Sequence, residues 1–434
     1  MSRPRSLGHA ALVALVTTLA ACNLLAGIDD RGLGPPLGPR IVGGLCDDPG
    51  SVACSESAAE RLECDASGHW TSASACARQS RCELVDSQPT CRPSELGAGR
   101  ISTCFLASRG VVSCWGDNQL GSLGVGDPEV SAAPIVVPGL IASKLSVGES
   151  HACAIDAQGI VYCWGHNDAG EVGDGTLVNR STPTRVALPE PAVSVSAGLG
   201  ISCAAVASGD AYCWGKNLGG LAEPSSAPSL VKPTKLAVND VARVVAGFSD
   251  VCALPRSPTD PILCFGSLLF TPTPTPLEGF EGATTISLGE YHYCGIVDGQ
   301  AKCAGDNVVG QLCLGLSVEN LKKPLALDVG PAADIRASFR TTCVLGQDGG
   351  VACCGRNDHG QAGTGTTGDP ERRAKPVQLP PESTAIGITV GWDHACAELA
   401  QGGVYCWGAN GFDQLGISSP GDYATPQQVE DLTL

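Results

Sequence analysis

The sequence predicts an all-β chain built from one repeated hairpin, and three observations predict it. Seven cysteine pairs recur at near-constant spacing: Cys104 with Cys114, Cys153 with Cys163, Cys203 with Cys213, Cys252 with Cys264, Cys294 with Cys303, Cys343 with Cys353, and Cys396 with Cys406. Their first members step by 49, 50, 49, 42, 49 and 53 residues, a period near 50 that belongs to a propeller or a solenoid. Glycine (56) and proline (30) are abundant while aromatic residues make up only 4%, which suits short strands and many turns rather than long helices.

The stretch from His151 to Asn167 shows how one unit works. Apolar residues flank a short polar break, and Asp156 to Gly159 carry turn chemistry. A three-residue loop with Gly159 in the left-handed position pairs Asp156 with Ile160. Counting back places Cys153 opposite Cys163 at a non-hydrogen-bonded site, where Cα atoms approach to about 4.5 Å and a disulfide can form. The five units with ten-residue spacing keep a glycine six residues after the first cysteine: Gly110, Gly159, Gly209, Gly349 and Gly402. The nine-residue unit instead has Asp298-Gly299, a two-residue type I′ signal, and the twelve-residue unit has a longer loop from Arg256 to Asp260. Loop length and spacing change together, so the cysteines stay opposite in all seven.

Length, charge and cysteine content bound the rest. The 434 residues carry 27 Lys and Arg against 44 Asp and Glu, a net charge of −17. Such a chain repels phosphate backbones, which argues against nucleic acid as a partner. Its 23 cysteines lack the tight Cys-x-x-Cys knuckles of zinc sites, so they imply an oxidising compartment. Arg3 and Arg5 precede an apolar run, Ala10 to Ala20, that is too short to span a bilayer. The run ends in Leu19-Ala20-Ala21-Cys22, which resembles the lipobox of bacterial lipoproteins. That resemblance implies a signal peptide over 1–21, lipidation of Cys22 and a tether over 22–45. Asn23, where a retention signal has Asp, points to the outer membrane. Six cysteines between Cys46 and Cys91, with Trp70 and little else to bury, imply a disulfide-stapled mini-domain over 46–91, with fifteen connectivities open.

The array itself occupies 95–434. A glycine lies five residues before the first cysteine in six units (Gly99, Gly148, Gly198, Gly247, Gly289, Gly391), with Ser338 the exception. An asparagine lies four residues after the second cysteine in six: Asn118, Asn167, Asn217, Asn307, Asn357 and Asn410. A Gly-x-Leu/Val-Gly loop follows, as in Gly121 to Gly124 and Gly170 to Gly173, then Pro-x-x-aliphatic from Pro134, Pro183, Pro233, Pro324, Pro376 and Pro426. The combination of His-x-Cys-Ala, Gly-x-Val-Tyr-Cys-Trp-Gly-x-Asn and Gly-Gln-Leu-Gly resembles the regulator of chromosome condensation repeat family. The resemblance implies a seven-bladed β-propeller, here with intra-blade disulfides and preceded by a small disulfide-rich module. The array opens without a Pro-x-x-aliphatic segment and ends on Pro426 to Val429, so the C-terminal segment is expected to pair with the first blade.

Departures from the repeat mark candidate sites. Trp115, Trp164, Trp214 and Trp407 follow the second cysteine and read as blade-to-blade core. The sixth unit has Cys354 at that position, and the fifth has Cys313 where others place the last glycine of the loop motif, which predicts an inter-blade disulfide. The fourth unit lacks the asparagine and carries Thr271 to Pro276, a stiff extended run that shortcuts a missing loop. His151, His292 and His394 fall at equivalent points of three separated blades and read as hydrogen-bonding strand residues, not as metal ligands.

Neither a nucleophile elbow nor a phosphate loop is present, and Asp117, Asp174 and Asp306 lie outside any calcium-loop spacing. A non-enzymatic binder without cofactor follows. The sequence predicts an envelope lipoprotein whose loops, near 121–131, 170–182, 218–232, 310–322 and 360–375, hold a protein or glycan at the cell surface. An inhibitor of a secreted or periplasmic enzyme, and a glycan-acting hydrolase, are the alternatives.

Overall fold

The computed structural model describes residues 94–432 apart from 127–129, 218–226, 267–272 and 316–318, together with five strands between 52 and 93. The expected signal peptide over 1–21, Cys22 and the expected tether over 22–45 lie outside the described residues. Within the six-cysteine segment, Val52–Cys54, Glu60–Cys64 and Trp70–Ala75 form one antiparallel sheet. Ser80–Val85 pairs with Gln88–Pro93, placing Cys82 opposite Cys91.

From Glu95 onward the chain folds into seven antiparallel blades of four strands, each strand pairing with the next in sequence. Blade 2 is representative: Lys144–Val147, His151–Ile155, Val161–Gly165 and Arg180–Arg185, from the inside outward. Blades 5 and 6 are joined because Asn320–Ser338 runs on without a break, as the outer strand of one and the inner strand of the other. The first strands of all seven blades line a central channel of about 620 Å³.

Turn chemistry sets the hairpin register. In blade 2, Asp156 N donates to Ile160 O, Gly159 has φ 79°, and Cys153 faces Cys163. In blade 5, Asp298 and Gly299 both take positive φ (50° and 74°), as a type I′ turn requires, and Cys294 faces Cys303. The same opposition holds in every other blade: Cys104 faces Cys114, Cys203 faces Cys213, Cys252 faces Cys264, Cys343 faces Cys353, and Cys396 faces Cys406. All seven pairs are disulfide-bonded as the spacing predicts, each with Cα atoms 4.1 Å apart. This approach is slightly closer than the 4.5 Å or so of an unbonded pair.

The core sits between blades. One cluster joins Cys153 and Ile155 of blade 2 to Ala204 and Trp214 of blade 3. Each of the four tryptophans is fully buried. Each donates its indole N–H to a carbonyl in the preceding blade's loop: Trp115 to Gln414 (3.0 Å), Trp164 to Ser122 (3.0 Å), Trp214 to Glu171 (2.8 Å) and Trp407 to Gln361 (3.0 Å). The loop presses its last glycine onto the ring, so a Cβ on Gly173 would meet Trp214 at 2.7 Å. The recurrent asparagine holds that loop in shape: Asn167 Oδ1 accepts Val172 N at 2.8 Å while Nδ2 donates to Val178 O at 3.0 Å. At the junction of blades 5 and 6 both partners change together. Cys313 replaces the glycine, Cys354 replaces the tryptophan, and the two are bonded with Cα atoms 5.3 Å apart.

Ring closure differs from the expectation. The C-terminal strand Tyr423–Gln428 pairs with Val404–Gly408 of its own blade, not with the first blade. Blade 1 is complete from its own segment, with Ser131–Ile141 as its outer strand. The ring closes by the same lateral contact that joins every other pair: Leu415, Ile417 and Val429 of blade 7 pack on Phe105 and Trp115 of blade 1. A strand exchange is unnecessary because the contact already buries both faces. In blade 4, Thr275–Pro276 pairs outside Leu263–Gly266 as a two-residue outer strand. Thr271 and Pro272, at the start of the Thr-Pro run, lie outside the described residues.

Two measurements check this packing. Gly173→Ala places a methyl against the Trp214 ring at a positive φ and is expected to destabilise the chain by roughly 1–3 kcal/mol in thermal unfolding. Cys354→Trp alone is expected to unfold at a lower temperature than the pair Cys313→Gly with Cys354→Trp, because only the pair restores the glycine seat beneath the indole. Additive effects of the two changes would contradict a shared contact.

Candidate functional site

Strand direction sorts the loops onto two faces. Inner strands run toward the face that carries the Gly-x turns, such as Gly148-Glu149, and third strands return to that face to enter the long loops. The opposite face carries the disulfide-hairpin turns and the links between blades.

On the first face, the residue after the recurrent glycine, or after Ser338 in blade 6, lies at the channel mouth once per blade: Arg100, Glu149, Leu199, Phe248, Glu290, Phe339 and Trp392. Backbone bonds link these turns around the ring: Arg100 N to Glu149 O (3.0 Å), Glu149 N to Gly198 O (3.2 Å), Leu199 N to Gly247 O (2.9 Å), Glu290 N to Phe339 O (2.9 Å) and Trp392 N to Gly99 O (3.2 Å). The glycines are required by this approach; a Cβ on Gly148 would lie 2.6 Å from Gly198 O.

Three of the mouth residues stack over the channel. Phe339 lies on Trp392 with centroids 4.8 Å apart and planes 6° apart, and Phe248 contacts both at 5.8 and 5.4 Å. Arg100 sits 4.6 Å over Trp392, and Arg340 and Arg356 flank Phe339 at 5.5 Å each. Acidic neighbours hold these cations: Arg100 with Glu149 (3.4 Å), Arg340 with Glu290 (2.9 Å) and Arg356 with Asp393 (2.8 Å). Farther out on the same face, Tyr291, Val308, Phe412, Leu177 and Val178 are exposed. An aromatic centre, paired charges and scattered apolar contacts suit the recognition of a protein surface.

The buried histidines belong to blade junctions. His151 Nε2 meets Ser202 Oγ at 2.8 Å, His292 meets Thr342 Oγ1 at 2.9 Å, and His394 meets Thr103 Oγ1 at 2.8 Å, each across to the next blade. Each hydroxyl donates its proton to a loop carbonyl: Ser202 to Glu171 (2.9 Å), Thr342 to Gln311 (2.7 Å) and Thr103 to Gln414 (2.8 Å). A hydroxyl has one proton, so the imidazole must supply the Nε2–H and leave Nδ1 bare. These pairs have the separation of a nucleophile and base, yet they are sealed in the core and the hydroxyl proton already points to a carbonyl. They join blades and offer no substrate access.

A second polar cluster, which the sequence reading missed, lies in the blade 2 loop. His166 Nε2 is 3.4 Å from Asp168 Oδ2, and its Nδ1 is 3.6 Å from Glu171 Oε1. Pairing with Glu171 raises the imidazole above its ordinary pKa. Each ring nitrogen faces a different carboxylate, which suits an imidazolium between two acids, and one ligand atom from each of His166, Asp168 and Glu171 lies within 4.8 Å of the other two, a spacing that could also hold a metal ion.

Models of the regulator of chromosome condensation (RCC1) repeat match residues 158–205, 348–397 and 401–433, and, in a second form, 142–171, 332–361 and 385–414. The chain carries RCC1 repeats. The chain is 30% identical over 153 residues to the probable E3 ubiquitin-protein ligase HERC4 of Rattus norvegicus, covering 34% of this chain and 14% of that protein. It is 29% identical over 161 residues to the ultraviolet-B receptor UVR8 of Arabidopsis thaliana, covering 36% of each. The match thus spans about a seventh of the ligase's length. Among solved structures, Prp20p from Saccharomyces cerevisiae superposes with a TM-score of 0.66 at 21% identity, over 75% of this chain and 87% of that one. Human WBSCR16 superposes with a TM-score of 0.66 at 19% identity, over 74% and 93%. These likenesses establish the RCC1-type propeller fold.

The buried histidines make stability depend on pH. Burial holds His151 and His394 down to about 4 and His292 to about 3. Below the unfolded value near 6.5 the unfolded chain binds protons that the folded chain refuses, so stability falls as pH drops from about 6.5 toward 3 to 4. The thermal midpoint is expected to decline over that window, and His292→Gln is expected to make the decline shallower. An unchanged slope in that variant would remove His292 from the account.

Proposed function

We propose that this chain is a non-catalytic binding protein of the cell envelope. Cys22 anchors it to the membrane through lipid, and the face bearing the aromatic mouth engages another macromolecule, most simply a protein. The observation that carries the reading is the clustering of Phe248, Phe339 and Trp392 with three arginines and an exposed apolar periphery on one face of a disulfide-braced scaffold. The RCC1-type fold supports it, since Prp20p was solved in a study of its binding to Gsp1p and histones, and yeast RCC1 (Prp20) has been solved with Kap60 bound. The acidic charge of −17 argues against nucleic acid here. Seven cross-strand disulfides fit an oxidising site of action.

Site-specific photo-crosslinking in intact cells tests the binding face. A crosslinker at Phe412 is expected to capture a defined partner, one at Gln347 on the opposite face to capture none, and Trp392→Ala to abolish the Phe412 adduct. Adducts formed only from Gln347 would assign the wrong face. Cys22→Ala is expected to move the chain from the membrane fraction to the soluble fraction; retention in the membrane fraction would refute the lipid anchor.

A further inference from the structure

The loop that leaves the third strand of blade 2 departs from its counterparts at one buried position. Eight residues after the second cysteine, blades 5, 6 and 7 carry glutamine: Gln311, Gln361 and Gln414. In each, Oε1 accepts a loop N–H: Val309 to Gln311 at 3.1 Å, His359 to Gln361 at 2.9 Å, and Phe412 to Gln414 at 2.9 Å. In blades 5 and 6 the amide nitrogen then donates to a carboxylate, Gln311 to Asp306 at 2.8 Å and Gln361 to Asp358 at 3.4 Å. Blade 2 has Glu171 at this position. Its Oε2 accepts Ala169 N at 2.9 Å, just as the glutamine oxygens accept theirs. Its Oε1 stands where an amide would donate, and it has no proton to give.

That oxygen is left without a donor. Glu171 is 1% exposed, yet Oε1 has no hydrogen-bond partner. His166 Nδ1, 3.6 Å away, is beyond hydrogen-bond reach. A buried carboxylate oxygen in this state is unfavourable, and a cation would satisfy it. The surrounding residues suit a cation too. His166 and Asp168 lie three and five residues after the second cysteine, the positions from which Asp306 and Asp358 hold the glutamines of blades 5 and 6. A carboxylate-to-amide pair is thus rebuilt in blade 2 from groups that all offer lone pairs once the imidazole is neutral. Among the described residues this is the one set of three such side chains whose ligand atoms lie within 4.8 Å of one another.

The frame around these groups is fixed, and one side is open. His166 N donates to Ser150 O at 2.9 Å, and Asn167 N donates to Asn179 Oδ1 at 2.9 Å. Glu171 O accepts both the Trp214 indole N–H and the Ser202 hydroxyl. The Asp168 side chain is 70% exposed and that of His166 28%, so an ion can enter from solvent. Ligand atoms around tetrahedral zinc stand about 3.3 Å apart. The exposed Asp168 side chain is free to make the remaining movement.

We propose that His166, Asp168 and Glu171 bind a divalent transition-metal ion such as Zn²⁺ on the loop face of blade 2. An imidazole among the ligands favours such an ion over Ca²⁺ and Mg²⁺, which prefer all-oxygen sites. Three protein ligands leave a fourth position for water. Metal binding is read without any partner, so the site stands or falls independently of the proposed binding role.

Calorimetric titration of the oxidised, chelator-treated full chain with Zn²⁺, and separately with Ca²⁺, tests the site. One Zn²⁺ is expected to bind per chain, at least about tenfold more tightly than Ca²⁺. His166→Ala and Glu171→Gln are each expected to weaken Zn²⁺ at least about tenfold. Glu171→Gln recreates the residue that three other blades already carry, so it serves if His166→Ala does not fold. His359→Gln, which removes the exposed histidine beside Asp422, is expected to leave Zn²⁺ binding unchanged. Ca²⁺ binding as tightly as Zn²⁺ overturns the imidazole as a ligand. The site is overturned altogether if Zn²⁺ does not bind at millimolar concentration, or if a folded Glu171→Gln variant binds it like the parent chain.

Discussion

The lateral contact between neighbouring blades is the interaction on which the rest of the structure depends. A four-stranded sheet of about 40 residues cannot bury enough apolar surface to fold alone, so each blade must cover the next. The contact has three parts: a tryptophan or its substitute, the glycine that lies on it, and a loop carbonyl that takes the indole N–H. At two junctions a hydroxyl met by a buried histidine donates to that same carbonyl, and at the blade 5–6 junction, which has no indole, the equivalent hydroxyl donates to Gln311 O. Because the carbonyl comes from the long loop, that loop is structural at its base and free to vary only at its tip. This division explains how one propeller keeps its shape while exposing Phe412, Val308 and Leu177.

The junction of blades 5 and 6 shows what the contact must supply. Exchanging indole for thiol removes a large buried ring, and exchanging glycine for cysteine fills the seat it leaves. Neither change suits the contact alone. Together they become a covalent bond between neighbouring blades, beside a strand that already runs unbroken from one blade into the other. The joint is therefore braced twice where the usual aromatic packing is missing.

The channel illustrates a second constraint. Inner strands are sheet edges, whose unpaired N–H and C=O groups need partners. Serines and Glu95 on one blade accept the edge N–H groups of the next, which laces the inner edges into a cylinder. With its backbone satisfied in this way, the cylinder holds different side chains at its two ends. Aromatic rings close one mouth, and charged groups such as Glu95, Lys144, Arg243 and Arg336 gather at the other.

The sequence by itself determined whatever depends on short-range geometry. Turn length and turn chemistry decided which cysteines face each other, as the nine-residue Asp298-Gly299 hairpin and the longer Arg256–Asp260 loop both show. Period and motif decided the number of blades, and paired departures at Cys313 and Cys354 identified the exceptional joint. The tertiary structure alone decided which residues meet across the ring. Phe248, Phe339 and Trp392 are separated by 91 and 53 residues, and no local pattern announces that they stack, though each follows the glycine, or Ser338, that starts a turn. Arg243 and Arg336 lie 93 residues apart and converge only because blades 4 and 6 face a common channel. The closure of the ring was misread for the same reason: strand inventory at the two termini is a local fact, whereas closure is a lateral packing relation that any two complete blades can make.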